Sequence, residues 1–253
     1  MARSCTKEGF ADCQLKLTIQ RSTPPIIHHY NSIMRRIATA EWLDTDSGTA
    51  DEISASLADL RRVNRWFGGV RTTEWMLRQV ARDLSKGSLS VLEVASGSGD
   101  VPQICKRRLE RGGVRIEITL LDRALSHLRN GHRAIAGDAL ALPFRDDSFD
   151  AVSCGLFAHH LGPGNLVRFI NEALRVCRSA VLINDLVRSW LHLAFVYTGM
   201  PLYRSRLTRH DAPASVRQAY KIEETRALLR QTHASRVEIQ RRYFFRMAVI
   251  VWT

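Results

Sequence analysis

Three groups of residues in this 253-residue chain have the types and spacing to do chemistry. The first is Leu89-Ser-Val-Leu-Glu93-Val-Ala95-Ser-Gly97-Ser-Gly99-Asp100. In it an apolar, β-branched run from Ser90 to Ala95 carries one acidic residue and breaks into a Gly-rich turn. A helix-like segment, Val101 to Arg111, follows. A strand that turns tightly into a helix N-terminus presents backbone N–H groups to a ligand. The second group is the pair His159-His160, in a loop bounded by Gly155 and Gly162, and the third is His210-Asp211. A histidine titrates near neutrality and can accept a proton from a reacting hydroxyl. His28-His29 has no third ligand nearby at metal-binding spacing, so no metal is expected.

Two common ligands use a strand–turn–helix of this kind, a dinucleotide and S-adenosylmethionine (SAM). The dinucleotide fingerprint G-x-G-x-x-G needs a third Gly at 102, where the helix packs on the strand. Pro102 stands there. The remaining pattern, Glu93-x-Ala95-x-Gly97-x-Gly99, resembles motif I of the class I SAM-dependent methyltransferases. The family's first Gly is Ala95 here, and Ala accepts a positive φ poorly.

Later segments resemble the same family in order. Arg115 to Leu121 alternates and ends at Asp122, followed by Arg123. The resemblance implies that an acidic residue here accepts hydrogen bonds from two ribose hydroxyls, a job suited to an acceptor-only carboxylate. Ala134-Ile-Ala-Gly-Asp138-Ala139-Leu140 resembles the third-strand motif, which implies that Asp138 binds the adenine amino group with Ala139 beside it. Ser148-Phe149-Asp150 and the apolar run to Cys154-Gly155 resemble the fourth strand. Taken singly, Asp122 and Asp150 also fit the description of turn residues at strand ends. The resemblance covers roughly Val70 to Ile183. It implies cofactor-binding positions at Glu93, Ala95, Gly97, Gly99, Asp122, Arg123, Asp138, Ala139 and Gly155.

In related small-molecule methyltransferases the loop after strand four lines the junction of SAM and acceptor. That makes His159 a candidate substrate contact and His160 a candidate base, against the alternative that either histidine simply packs beneath the loop. Methyltransferases of nucleic-acid amino groups carry an Asn/Asp-Pro-Pro-aromatic motif at this point; Cys154-Gly155-Leu156-Phe157 is different. Between the fifth strand and the last ones lies an insertion, Val187 to Lys221, in the region that family members use as a substrate lid. His192, Tyr197 and Tyr203 are candidate acceptor contacts there, and His210 is a second candidate base. An amphipathic helix pair covering the sheet is the alternative reading of the same segment.

Composition fits a soluble globular protein, with 45% hydrophobic and 25% charged residues. The formal charge of +12 invites a nucleic-acid reading, but arginines supply most of it as scattered pairs such as Arg61-Arg62 and Arg241-Arg242. Five cysteines without C-x-x-C spacing argue against a disulfide framework and a zinc site, and for a reducing cytosol. No apolar run has the length of a membrane span, and the N-terminus lacks the apolar core of a signal peptide. A cytoplasmic monomer or homodimer is expected.

Residues 1–33, with Pro24-Pro25, read as a flexible tail, and Met34 offers an alternative translation start. The rest reads as one domain: a helical cap over 34–85, a SAM-binding core over 86–186, a lid over 187–222, and a last helix with antiparallel strands over 223–253. The expected fold is α/β, a seven-strand, mostly parallel Rossmann-like sheet with helices on both faces. The expected activity is methyl transfer from SAM to a small aromatic or polyketide acceptor, phenolic, quinol or polyketide-derived, at oxygen or carbon. Two rivals stand beside it: an RNA or protein methyltransferase using the basic surface, and a SAM-binding protein without methyl transfer.

Overall fold

The computed structural model of the chain describes residues 34–45, 47–123 and 133–253. The expected tail, 1–33, lies outside the described residues. Seven strands form one sheet in the order β3-β2-β1-β4-β5-β7-β6. They are β1 (Ser88–Val94), β2 (Arg115–Asp122), β3 (Ala134–Ala136), β4 (Phe149–Gly155), β5 (Cys177–Leu186), β6 (Arg236–Arg242) and β7 (Arg246–Trp252). The first five run parallel, while β7 is antiparallel to both β5 and β6. This is the expected sheet.

Strands β1, β4, β5 and β7 are buried on both faces, which explains their unbroken apolar runs. Along β1 the pleat sends Leu92 and Val94 to one face and Leu89 and Val91 to the other. On the first face α4 (Pro163–Val176) and α7 (Ile222–Leu229) complete a core with Phe169, Ile170 and Leu229. On the second, α2 (Gly69–Asp83) and α3 (Asp100–Arg111) supply Met76, Val80, Cys105 and Leu109.

Helix α1 (Ala50–Trp66) starts at a capping box, in which Thr49 Oγ1 accepts from Glu52 N–H and the Glu52 carboxylate accepts from Thr49 N–H. It ends just before Gly68, whose φ of 82° and closeness to Tyr243 leave no room for a Cβ. Because α2 begins directly at Gly69, Thr72 and Thr73 lie inside it and do not cap it. Thr73 instead accepts a hydrogen bond from Asn184 on β5.

One departure concerns residues 34–42, part of the expected helical cap over 34–85. They follow no regular element, because their backbone groups bond across the molecule. Ile37 N–H donates to the carbonyl of Arg217, and the N–H groups of Trp42 and Leu43 donate to the Asp211 carboxylate. Arg217 and Asp211 belong to α6 (Arg206–Gln218), which with α5 (Trp190–Thr198) makes up most of the insertion after β5. No helix among the described residues is long and apolar enough to cross a membrane.

Candidate active site

Strand order reverses between β1 and β4, and ligands of open α/β sheets bind beside such a reversal, outside the carboxyl ends of the strands. Two backbone positions at this edge carry positive φ without being glycine: Ala95 after β1 (φ 51°) and Leu156 after β4 (φ 55°). Left-handed backbone at such residues costs about 1–2 kcal/mol, and strain of this kind collects at functional sites. Gly97 (φ 52°) opens onto empty space, whereas a Cβ on Gly99 (φ 69°) would stand 2.6 Å from Leu120 Cδ1. Gly99 thus lets α3 pack closely on β2, and Gly97 leaves a cradle in front of the turn.

Four acidic residues stand around this turn. Asp122, at the end of β2, accepts the Gly97 N–H at 2.8 Å. Glu93 is buried on β1, and its carboxylate faces Gly155 at the end of β4. Burial pushes the Glu93 carboxyl up to about 7, although Ser153 across the strand pair favours the ionised form. Its Oε2 has no hydrogen-bond partner among the described residues, and neither does the buried Ser96 Oγ. Asp138 is exposed and caps the Leu140 N–H at 2.9 Å, with Ala139 packed on the core behind it. Asp100 opens α3 and pairs with Arg61 at 2.9 Å, drawing α1 over the turn. A buried carboxylate with an orphaned oxygen, on a strand that leads into an open glycine turn held by a second strand-end carboxylate, suits a ligand that combines a cationic group with hydroxyls.

On the other side of Gly155 a second constellation forms. The short helical turn Ala158–His160 buries His159, whose N–H and Nδ1 lie 2.9 and 2.7 Å from the two carboxylate oxygens of Asp185 on β5. Its Nε2 faces Glu41 Oε1 at 3.5 Å. Burial works against a charged imidazole, but Asp185 and Glu41 outweigh it and raise His159 to about 10, while both carboxylates are held below their ordinary values. His160 is partly exposed; its Nδ1 lies 2.7 Å from Asp44 Oδ2 and its Nε2 3.9 Å from Glu41 Oε2. Asp44 also feels the charge of Arg123, which ties this cluster to the end of β2. Arg36 donates to the carbonyls of His159 and Leu161, at 2.8 and 3.0 Å, and fixes the loop.

The candidate residues of the insertion sit in other surroundings. His210 stacks on Trp42 at 3.9 Å, and its Nδ1 lies 2.7 Å from Asp211, the carboxylate that anchors the backbone of residues 42 and 43. His192 is buried, stacks on Phe245, and has its Nδ1 3.1 Å from the carbonyl of Val187. Burial lowers it to about 4. Tyr197 is exposed and accepts from Arg217, while Tyr203 packs beside Leu193, Val196 and Met34. Sequence reasoning singled out neither Glu41, Asp44 nor Asp185.

Residues 92–183 match a family described as a methyltransferase domain. A demethylmenaquinone methyltransferase of Thermotoga maritima is 37% identical over 94 residues, 36% of this chain and 41% of that protein. The chain therefore aligns with about two fifths of that relative's length. Among solved structures, the plantazolicin methyltransferase BpumL in complex with SAH is similar with a TM-score of 0.60 at 12% identity, covering 83% of this chain and 94% of that one. The CMeT domain of the citrinin polyketide synthase gives a TM-score of 0.51 at 14% identity, over 72% of this chain and 51% of that one. At such identities the likeness is one of fold, and it agrees with the observed strand order. Residues 92–183 are thus similar in sequence to a methyltransferase domain, and the sheet that contains them has the fold of the solved methyltransferases.

Proposed function

We propose that this chain transfers a methyl group from SAM to a small molecule bearing a phenolic, quinol or polyketide-derived hydroxyl or ring carbon. The observation that carries this reading is the orphaned Oε2 of Glu93, on the strand that leads into the open turn at Gly97, with its other oxygen 4.0 Å from where a Cβ on Gly155 would stand. A carboxylate buried without a partner is costly unless a ligand supplies one. The ammonium of SAM meets that need, and Asp122 is an acceptor for ribose hydroxyls. Asp138, a residue beyond the end of β3, is the candidate contact for the adenine amino group. Gly97, Ala95 and Gly99 shape the turn that admits the cofactor, with Arg123, Ala139 and Gly155 beside it.

When bound, SAM supplies an already activated methyl sulfonium. The protein's task is then to align the acceptor and exclude water, which can contribute several kcal/mol through positioning alone. Acceptor activation is assigned to the Glu41–His159–His160 cluster across Gly155. The held Nδ1 atoms of both histidines point their Nε2 atoms at one small volume. His210, His192, Tyr197 and Tyr203 line the insertion, for which we propose the role of lid. The match to a demethylmenaquinone methyltransferase supports a quinol-like acceptor.

Some of the positive charge is spent inside the molecule and is not offered to an RNA or protein acceptor. Arg36, Arg188 and Arg246 each bind backbone carbonyls within the fold. Calorimetry with SAM, followed by assay of S-adenosylhomocysteine release against panels of phenols, quinols, bulk tRNA and protein, tests the reading. Turnover on tRNA or protein alone, or tight SAM binding with no turnover on any acceptor, would replace it by one of the rivals.

A further inference from the structure

We propose that Glu41, His159 and His160 form a binding site for one divalent transition-metal ion of the zinc type. Each residue offers one ligand atom, and these atoms lie within 4.8 Å of one another. Both imidazoles have the outer partner that metal-bound histidines have. The Nδ1 of His159 is held by Asp185 and that of His160 by Asp44, each at 2.7 Å. With Nδ1–H donated outward, Nε2 is the ring atom that each histidine would offer to an ion once it carries no proton.

The second observation is His159 Nε2 itself. It is buried, has no hydrogen-bond partner among the described residues, and stands 3.5 Å from Glu41 Oε1. That is longer than the ~2.7–2.9 Å of a charge-assisted hydrogen bond. In the ion-free protein the Nε2 proton of a charged imidazole lies in this gap, and a bound cation would take the place of that proton. Two ligand atoms, each about 2.0–2.2 Å from one ion at a tetrahedral angle, stand roughly 3.3–3.6 Å apart. The gap has the width of a shared ion.

The surroundings are rigid. Glu41 Oε1 also accepts from Ser215 Oγ and Gln218 Nε2, both at 2.6 Å, and the His159 N–H is bound to Asp185. Two imidazoles and a carboxylate favour zinc, iron or manganese over calcium or magnesium. Three protein ligands leave a coordination position open. This departs from the sequence expectation of no metal, because the third ligand comes from a distant segment and not from neighbouring residues.

The role of the ion rests on the methyl-transfer reading. At the open position a hydroxyl of the acceptor binds through oxygen and loses its proton to solvent, leaving the oxygen anion that attacks the methyl group. No oxidant or reductant is needed. Existence of the site does not depend on that role.

The test uses the full chain, tag-free and stripped with a chelator, titrated with Zn2+ by calorimetry and with Co2+ by visible absorption. One ion per chain is expected. His160→Ala and Glu41→Gln should lose stoichiometric binding, and Asp44→Asn should weaken it by about 10–100-fold. His233→Ala, at an exposed histidine outside the cluster, should bind as the parent does. Circular dichroism checks folding, and if Glu41→Gln fails to fold, His160→Ala and Asp44→Asn decide. A parent protein that binds no ion stoichiometrically, or a His160→Ala protein that binds it undiminished, overturns the site. SAM affinity, titrated separately, distinguishes the two failures. Absent metal with intact SAM binding rejects the metal site alone, whereas bound metal without SAM binding rejects the methyl-transfer reading.

Discussion

Gly97 donates its backbone N–H to Asp122 Oδ2 at 2.8 Å, so the carboxylate that ends β2 holds the turn that ends β1. The same side chain that we propose receives the ribose hydroxyls also fixes the glycine turn. Its loss therefore acts twice. Asp122→Ala should weaken SAM binding by roughly 1–3 kcal/mol, the range for unpairing groups held by a charged acceptor. Asp122→Asn keeps an acceptor for Gly97 and should lose less. Calorimetric SAM affinities equal to the parent's in both variants would remove Asp122 from the site.

Glu93 predicts a proton release. Its carboxyl is pushed up to about 7 by burial, so near pH 6 it is largely protonated in the free protein. A cationic ligand beside it favours the ionised form and lowers that value. SAM binding near pH ~6 should then release a proton, seen as an enthalpy that depends on the ionisation enthalpy of the buffer. In Glu93→Gln the buffer dependence should vanish and affinity should fall. A buffer-independent enthalpy in the parent protein would mean that Glu93 does not face the bound cation.

Ala95 and Gly99 share left-handed backbone but should respond oppositely to substitution. At Ala95 (φ 51°), glycine relieves strain and adds flexibility to the unfolded chain, so Ala95→Gly should change stability by no more than ~1 kcal/mol. At Gly99 an added Cβ meets Leu120 Cδ1 at 2.6 Å as well as the backbone strain. Gly99→Ala should cost at least ~2 kcal/mol and weaken SAM binding. Denaturant titrations of the two variants check this; equal destabilisation would show that the turn relaxes freely.

The difference between what was and was not legible in the chain is one of distance. Glu93, Gly97, Gly99 and the carboxylates at 122 and 138 fall within short segments whose local alternation and turn residues fix strand, turn and helix. Their order carried the family resemblance that implied the sheet. Glu41 and Asp44 carry no such signal. They lie in a stretch without periodicity, delivered to His159 and His160 because Asp211 and Arg217 on α6 capture its backbone. Asp185 was hidden for another reason: it ends an apolar strand, where it reads as a strand-end residue like Asp150. Asp150 does have such a role, accepting from Lys86 and from Ser90 at 2.7 and 2.8 Å.

His192 gives the fold an acid limit. Burial, opposed by its bond to Val187 and aided by the charge of Arg246, lowers it from 6.5 to about 4. The folded protein keeps this ring neutral while the unfolded chain protonates it, so the unfolded state binds more protons between those values. Stability then falls as pH drops through that window, by on the order of 3 kcal/mol at its acid end. His192→Phe, which keeps the ring stacked on Phe245, should flatten the decline. If urea midpoints of parent and variant fall in parallel from pH ~7 to ~4, His192 is not the group responsible.

The two candidate bases separate by what holds them. His160 Nδ1 is bound to Asp44 and its Nε2 faces the Glu41 carboxylate, within the cluster beyond Gly155. His210 is stacked on Trp42 and tied to Asp211, whose carboxylate also binds the Trp42 and Leu43 N–H groups. A side chain that activates the acceptor typically contributes ~10²–10⁴ in rate. His160→Ala should therefore lose turnover on that scale, with SAM affinity unchanged, because Glu93 and Asp122 lie on other strands. His210→Ala should show a smaller loss, transmitted through Trp42 to the segment that carries Glu41 and Asp44. The measurement is kcat with the identified acceptor across pH ~6–9, beside calorimetry with SAM. Near-parental kcat in His160→Ala at every pH would show that alignment alone carries the reaction, and a larger loss in His210→Ala would move the acceptor-activating group into the insertion.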